Sequence, residues 1–290
     1  MSRDSKIEWT HHTFNPWWGC SKISEGCRNC YADSLAKRYG KSELWKGEYE
    51  KKKGPWKDIL KWDKSAREHG VRERVFVASM ADIFDGSINV INWRDEAFDL
   101  LESLTNLDIL LLTKRPKLGV SYLNKRYGDD IPKHFWFGTT VENQKAADER
   151  IPELLKANTD NLFLSVEPLL EKVDLRLNRW VCQECGVWSP GDYLTDDTGC
   201  DCPDPVYGPE WYKNFISWVI VGGESGHNAR PMDVEWAWDV MRQCQRIDTA
   251  FFFKQGSQNN WENFKDPDDF PDGLRDREFP EALVRERGIK

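Results

Sequence analysis

The sequence contains no long hydrophobic run, and this absence argues against a membrane-spanning protein. No stretch of the 290 residues approaches the roughly 20 apolar residues that a membrane-spanning helix needs. The N-terminal residues up to His12 also lack the apolar core of a secretory signal. We therefore expect a cytoplasmic protein without a membrane partner, in a compartment where thiols stay reduced.

An excess of positive charge is missing as well. The chain has 41 Lys and Arg residues against 49 Asp and Glu residues, which gives a formal net charge of −8. Such a balance argues against a surface that grips nucleic acid nonspecifically, although it leaves room for a local basic groove. Apolar residues make up 39% of the chain, enough for a sizeable core. We expect one domain that spans residues 1–290.

Cysteine, in contrast, is present eight times. In a reducing compartment this number favours metal or cluster ligation over disulfides. Cys20, Cys27 and Cys30 lie within eleven positions, in the spacing Cys-x6-Cys-x2-Cys. A structural zinc needs four ligands, whereas an iron–sulfur cluster held by three cysteines keeps one iron open. We therefore hypothesise that this loop carries such a cluster.

The residues after Cys30 predict a helix. Tyr31, Leu35 and Tyr39 recur at helical spacing, and Gly40 follows as a stop signal. Cys30 would then open the helix, where free N–H groups favour a thiolate and an anionic ligand.

A second set of four cysteines lies in an interruption at residues 179–207. The set consists of Cys182, Cys185, Cys200 and Cys202. Two close pairs can close a tetrahedral site, so we expect a zinc-ribbon-like insertion; a second iron–sulfur cluster is the competing interpretation. The eighth cysteine, Cys244, falls on the apolar face of a predicted helix and is expected to be an inert core thiol.

The middle and C-terminal parts of the chain alternate between short apolar runs and helical patterns. The runs cover residues 75–80, 107–113, 135–140, 161–166, 217–221 and 250–253. Such alternation predicts βα units, and hence an α/β fold with a partial or full (β/α) barrel of parallel strands. A first strand within residues 13–18 would place the cysteine loop at the same end of the barrel. The Lys-rich stretch 41–73 is interpreted as a solvated surface insertion, with binding of nucleic acid as the alternative.

Each predicted strand ends in polar or charged residues. These ends are Ser79 with Asp82, Lys114 with Arg115, residues 139–143, Ser165 with Glu167, Glu224, and Lys254 with Gln255. A lone carboxylate after a strand is usually a helix cap, but six polar ends favour a shared function. In a (β/α) barrel the active site lies at the carboxyl ends of the strands.

Several short motifs together resemble one family. They are Gly-Cys at 19–20, Gly-Cys-Arg-Asn-Cys-Tyr-Ala at 26–32, Ser-Met-Ala-Asp-Ile-Phe at 79–84, Leu-Thr-Lys-Arg-Pro at 112–116, Val-Glu-Asn at 141–143, Leu-Ser-Val-Glu-Pro-Leu-Leu at 164–170, Val-Ile-Val-Gly-Gly-Glu-Ser-Gly at 219–226, Ala-Arg-Pro-Met at 229–232 and Phe-Phe-Lys-Gln at 252–255. The set resembles the phage-associated three-cysteine-motif family, which is similar to radical S-adenosylmethionine enzymes. The six-residue gap between the first two cysteines is longer than the three residues usual in that superfamily.

The resemblance implies a [4Fe–4S] cluster on Cys20, Cys27 and Cys30, with S-adenosylmethionine chelated at the open iron. The cofactor would supply a 5′-deoxyadenosyl radical, and the protein would orient and shield it. The expected cofactor-binding side chains are Ser79, Asp82, Lys114, Arg115, Thr140, Glu142, Asn143 and Glu167. The side chains expected to face the substrate are Glu224, Arg230, Lys254 and Gln255.

Substrate and partners follow only by implication from the resemblance. Phage association suggests modification or rearrangement of a nucleobase, such as a hypermodified base in phage DNA, with RNA or a nucleotide as the alternative substrate. The reaction would take place in a bacterial host cytoplasm, with flavodoxin or ferredoxin as the reductant. Two alternatives come from other classes of protein. A metal-dependent barrel hydrolase would use Asp82, Glu142, Glu167 and Glu224, although no predicted strand ends in a histidine. A noncatalytic zinc or cluster module would dock nucleic acid and leave the polar strand ends unexplained.

Overall fold

The computed structural model describes residues 5–177, 180–181, 188–189, 216–226, 228–257 and 265–284. The strands within these ranges are β1 (His12–Phe14), β2 (Trp17–Trp18), β3 (Glu50–Lys51), β4 (Glu73–Val77), β5 (Leu107–Thr113), β6 (Phe135–Thr140), β7 (Leu162–Val166), β8 (Trp180–Val181), β9 (Trp188–Ser189), β10 (Ile216–Gly222) and β11 (Ala250–Gln255). The helices are α1 (Tyr31–Arg38), α2 (Pro55–His69), α3 (Ile88–Leu101), α4 (Pro116–Tyr127), α5 (Gln144–Leu154), α6 (Val234–Gln245) and α7 (Glu281–Val284).

Seven of these strands form a parallel sheet that curls into a half-barrel. Their order is β1-β4-β5-β6-β7-β10-β11, which follows the chain from one edge to the other. Every neighbouring pair is parallel. The prediction of a partial (β/α) barrel is therefore confirmed, and all the carboxyl ends of the strands meet at one edge.

The first strand is shorter than the predicted span of residues 13–18. β1 ends at Phe14, and β2 leaves the sheet to pair antiparallel with β3. Pro16 lies between the two strands and has no N–H for a ladder bond, which is a physical reason for the break. The cysteine loop still begins at the carboxyl edge, because Gly19 N donates to Met80 O just beyond β4 at 3.2 Å.

The two faces of the sheet bury different cores. On the outer face, strand residues such as Ile109 and Leu111 pack with helix residues such as Ala97 and Ala147. On the inner face, the alternate residues Phe76, Leu110, Trp136, Phe163, Trp218, Ile220 and Phe252 pack with Trp9 and Leu283. Apolar side chains therefore fill the inner face of the half-barrel along most of the strands, and the inner face becomes polar only near the carboxyl edge.

The stretch 41–73 is not a solvated insertion, so that interpretation is wrong. α2 buries Ile59, Trp62 and Ala66 against the sheet, and it connects β1 to β4 on the outer face. Trp62 stacks on His12 of β1, with ring centroids 4.4 Å apart. The three lysines of α2, Lys57, Lys61 and Lys64, are exposed, and together with Lys51, Lys52 and Lys53 before the helix they made the stretch look solvated in the sequence.

Two further predictions concern cysteines outside the loop. Cys244 is fully buried in α6, as expected for a core thiol, and burial raises its pKa to about 12. The predicted zinc ligands Cys182, Cys185, Cys200 and Cys202 lie outside the described residues.

Among the helices that the structure describes, none is long and apolar enough to cross a membrane.

Candidate active site

The loop of residues 19–30, called the cysteine loop below, lies at the carboxyl edge of the half-barrel. Gly19 begins it with a φ of +123°, and a Cβ there would lie 2.4 Å from Glu48 O, so only glycine fits. Cys27 ends a short 3₁₀ turn, and Cys30 is the N-cap of α1, as predicted. Tyr31 and Tyr39, however, are exposed, and α1 buries Ala32, Asp33 and Ala36 instead.

All three thiols of the loop are free and at least partly buried. Cys20 and Cys30 both pack against the cluster formed by Met80, Leu44 and neighbouring residues. Burial raises the pKa of Cys20 and of Cys30, and each also has a neighbouring cysteine that raises it further. The three sulfur atoms therefore lie in one electrostatic neighbourhood.

Cys27 differs from the other two cysteines in the direction of its pKa shift. Burial raises the pKa of the Cys27 thiol, but the Lys114 ammonium and hydrogen bonds from Ile23 and Ser24 outweigh burial and lower it overall.

Within the described ranges, no three His, Cys, Asp or Glu side chains are grouped so as to hold a metal ion. A single ion needs every ligand within about 2.3 Å of one point, whereas the cysteines of a [4Fe–4S] cluster each bind a different iron.

The first of three carboxylate–arginine clamps holds the start of the cysteine loop. Arg115 Nη1 lies 2.8 Å from Asp82 Oδ2, and its Nη2 lies 3.3 Å from Asp85 Oδ2. The same Nη2 donates to Ser21 O at 2.8 Å and to Ser21 Oγ at 2.6 Å. Ser21 Oγ in turn donates to Asp85 at 3.0 Å. The guanidinium of Arg115, a predicted cofactor-binding group, is thus bonded to the cysteine loop.

The second clamp supports the middle of the loop. Glu142 is fully buried, and Arg150 donates to both of its oxygens, at 2.7 and 3.1 Å. A Cβ on Gly26 would lie 3.0 Å from the Glu142 carboxyl carbon, so the loop backbone rests directly on this carboxylate. Burial alone would raise the pKa of Glu142, but Lys114 and Arg150 outweigh it and hold the pKa at about 2.

The third clamp holds the last part of the loop, between Cys27 and Cys30. Arg230 donates to Glu224 through Nε at 3.0 Å and through Nη2 at 2.6 Å. Asn29 donates to Glu224 Oε2 at 2.9 Å and to Asn228 O at 2.8 Å. Arg230 also reaches Glu25 Oε1 at 3.2 Å. Glu224 and Arg230, predicted to face the substrate, are both bonded to the cysteine loop.

Four other predicted residues have local structural partners. Asn143 caps α5 by accepting from Ala146 N at 2.9 Å, which is the helix-cap role common after a strand. Ser79 exchanges hydrogen bonds with Asn15, and Gln255 donates to Gly223 O at 2.9 Å. The carbonyl oxygen of Thr140 accepts a hydrogen bond from Arg150. Thr140 is the last residue of β6, and alternation along the strand places its side chain on the inner face.

Glu167 and Lys254 form an ion pair on the inner face. Lys254 Nζ lies 3.0 Å from Glu167 Oε1, and Ser165 Oγ donates to Glu167 Oε2 at 3.3 Å. Tyr31, the first residue of α1, donates its hydroxyl to Ser79 O just beyond β4 at 2.6 Å. Burial, the Cys30 thiolate and the Glu167 carboxylate all raise the pKa of that hydroxyl.

Sequence reasoning missed the partners of the clamps. Arg150, Asp85, Asn29 and Ser21 were not among the predicted site residues, although Asp85 follows Asp82 by three positions and Asn29 lies between two cysteines. A cavity of about 650 Å³ was also not foreseen; it lies at the opposite, amino edge of the sheet, beside Arg72, Asp108 and His134. That cavity is remote from the cysteines and is not part of this site.

Fold and site together define an α/β half-barrel with a clamped three-cysteine loop at its carboxyl edge. The chain belongs to the family described as "Protein of unknown function (DUF5131)", whose model matches residues 4–279. That match covers the half-barrel and the cysteine loop. No curated protein and no solved structure matches the chain.

Proposed function

We propose that this chain is a radical S-adenosylmethionine enzyme whose [4Fe–4S] cluster is held by Cys20, Cys27 and Cys30. The observation that carries the proposal is a loop of three free cysteines held at the carboxyl edge of a parallel half-barrel. Thiolates are the usual ligands of iron–sulfur clusters, and three of them leave one iron open. Three separate clamps fix the loop, as a site for a preformed cofactor requires.

When bound, the cofactor pair supplies a 5′-deoxyadenosyl radical, and the chain positions and shields it. Lys114 places a positive charge beside Cys27 and Glu142, which suits the thiolate form and the negative charge of a cluster. Ser79 and Thr140 offer hydroxyl groups at the same edge for the methionine and ribose parts. The buried aromatic layer below them excludes water from the inner face.

We further propose a nucleobase as the group that is modified, with flavodoxin or ferredoxin as the electron donor and zinc at the four-cysteine insertion. The negative net charge fits a small or single-stranded substrate better than a long duplex, because a duplex needs many cationic contacts to its phosphates.

The hydrolase alternative is weakened by the clamps. It needs Asp82, Glu142 and Glu224 to be free for a metal or a proton, yet each accepts hydrogen bonds from an arginine. Of its four carboxylates, Glu167 alone is not bonded to an arginine in the described structure. A noncatalytic module has no use for the polar inner face beneath the loop.

Anaerobic reconstitution with iron and sulfide tests the proposal. The wild-type chain should gain visible cluster absorption and, once reduced with S-adenosylmethionine present, should release 5′-deoxyadenosine. We expect Cys27→Ala to lose both signals and Cys244→Ala, a matched change to a buried thiol in α6, to keep them. Cys182→Ala should retain the catalytic cluster and lose zinc. A wild-type chain that gains no cluster absorption would refute the proposal.

A further inference from the structure

We propose that Trp18, Tyr39, Lys41 and Lys52 form the docking surface for a small acidic electron-carrier protein. We call this set the lysine–tryptophan surface. The transfer of an electron across it rests on the proposed function, but docking itself needs neither cluster nor S-adenosylmethionine. Three observations lead to the surface: a local excess of positive charge, an aromatic centre that carries two lysines, and a small core that it shares with two cysteines of the loop.

The segment that contains the cysteine loop carries a local excess of positive charge. Residues 19–53 include nine Lys and Arg residues against five Asp and Glu residues, although the whole chain has 41 against 49. All nine cationic side chains are exposed or partly exposed. One of the five carboxylates, Asp33, is buried and paired with Lys22 and Lys37. An acidic chain therefore presents a positive region around the cysteine loop, and such a region steers an acidic partner towards it.

Trp18 lies at the centre of the surface. Lys52 Nζ lies 4.3 Å from the centroid of its ring and Lys41 Nζ lies 6.0 Å from it, both within the range of a cation–π contact. The ring of Tyr39 lies 5.8 Å away. Glu50, which pairs with Trp18 across β2 and β3, binds both ammonium groups. Because two lysines share one carboxylate, the surface stays positive, and its side chains are held in place before a partner arrives.

The same tryptophan links the surface to the cysteine loop. Trp18 packs against a small core, and Cys20 and Cys30 pack against that same core. Its members are Ala32, Ala36, Leu44, Trp45 and Met80. Cys20 also follows Trp18 by two positions, and its N–H donates to Leu44 O at 3.0 Å. Electron transfer slows steeply with distance, so the position suits a carrier: the side chains of one small core join its docking surface to two proposed cluster ligands.

The place of the surface in the fold favours an electron donor over a substrate. β2 and β3 form a separate two-stranded sheet, and Trp17, next to Trp18, packs into the core of the outer face. A substrate has to reach the inner face of the half-barrel, whereas a carrier has only to approach the cysteine loop. Single-stranded nucleic acid also binds lysines and aromatic rings, but a base stacks on a free ring face, and Lys52 lies over Trp18.

The step at this surface is the transfer of one electron. The electron leaves the reduced carrier and enters the oxidised cluster, so the carrier is oxidised by one electron and the cluster is reduced by one. No bond forms or breaks, and no proton has to move between the two proteins. Complexes of this kind bury small areas and dissociate readily. Charge attraction between exposed groups guides their encounter and weakens as salt is added.

Titration of an acidic flavodoxin and of an acidic ferredoxin into the full-length chain measures docking directly. We expect at least one of the two carriers to bind at low ionic strength, and its affinity to fall about tenfold or more in 0.5 M salt, where the screening length is only a few ångströms. The two arms distinguish the kinds of carrier. A single-stranded oligonucleotide, titrated under the same conditions, is the competing partner.

Variants locate the docking surface. The double change Lys41→Gln with Lys52→Gln should weaken carrier binding about tenfold, and Tyr39→Ser, at a ring that is 64% exposed, about threefold. The matched control is Lys145→Gln with Lys156→Gln. It removes the same charge from two exposed lysines that also pair with carboxylates, on and just after α5. The control should bind the carrier as the wild type does.

Reduction of the reconstituted chain separates docking from the chemistry of the cluster. With the carrier as reductant, the Lys41→Gln, Lys52→Gln variant should form 5′-deoxyadenosine about tenfold more slowly than the wild type at low carrier concentration. With dithionite, which needs no docking surface, the two should react at the same rate. Equal visible absorption of the two reconstituted chains shows that the variant retains its cluster.

Three outcomes would overturn the docking surface. They are no binding of either carrier, carrier binding that the double variant leaves unchanged, and oligonucleotide binding that the double variant abolishes while carriers do not bind. Each can occur while the cluster forms and dithionite drives cleavage of S-adenosylmethionine, so the proposed function would stand. Conversely, salt-sensitive carrier binding that depends on Lys41 and Lys52, in a chain that never gains a cluster, would support the surface and refute the radical mechanism.

Discussion

Arg150→Met lowers the free energy of unfolding by about 3 to 5 kcal/mol, the usual cost of removing one partner of a buried ion pair. Glu142 is fully buried, and after the change its nearest cation is Lys114, at 3.6 Å. Thr140 O also loses the donor that Arg150 provides at 2.8 Å. Denaturant unfolding of the wild type and the variant measures the difference.

Arg126→Met is the matched control for this substitution. Arg126 pairs with Asp99 and Glu102, but Asp99 is 68% exposed, so solvent screens the interaction. We expect a loss of no more than about 1 kcal/mol there. If the two variants lose equal stability, the second clamp contributes no more than a surface ion pair.

The same clamp makes stability depend on pH in a defined window. The pKa of Glu142 is held at about 2 against its usual 4.5, so the folded state favours the ionised form. The stabilisation is therefore fully present above about 4.5 and is lost as the pH falls towards 2. We expect the difference in unfolding free energy between wild type and Glu142→Gln to shrink across that window. A difference that stays constant from pH 5 to pH 2.5 would contradict the assignment.

Arg115→Met both destabilises the fold and releases the start of the cysteine loop. The change leaves Asp82 and Asp85, which are 6% and 2% exposed, without their cation, and it removes two hydrogen bonds to Ser21. We expect a loss of about 3 to 5 kcal/mol. Backbone amides of the cysteine loop should exchange with solvent faster than in the wild type, and Cys20 should react faster with a thiol reagent.

Arg126→Met again serves as the control, since it removes a guanidinium that does not touch the loop. Hydrogen exchange in α2 provides an internal reference, because that helix packs on the outer face away from Ser21. If Arg115→Met accelerates exchange equally in α2 and in the cysteine loop, the change has loosened the whole domain. The first clamp would then have no specific role in holding the loop.

The sequence by itself determined the parallel half-barrel. Each of the six apolar runs became a strand of the main sheet, with limits that differ by a few residues, because a strand buried on both faces must be apolar throughout. The position of the cysteine loop at the carboxyl edge could also be predicted, because the loop lies between the first strand and β4 in the sequence. The packing of α2 on the sheet could not be predicted in the same way, because its few buried residues alternate with exposed lysines and other charged residues.

The clamps were decided only by the tertiary structure. Polar residues after each strand were visible in the sequence, but their partners were not, since Asn29 and Glu224 are 195 positions apart and Ser21 and Arg115 are 94 apart. A strand-end carboxylate has the same local pattern whether it faces a ligand or an arginine. The curl of the sheet decides whether such a carboxylate meets a ligand or an arginine, because it brings the ends of distant strands around one short loop.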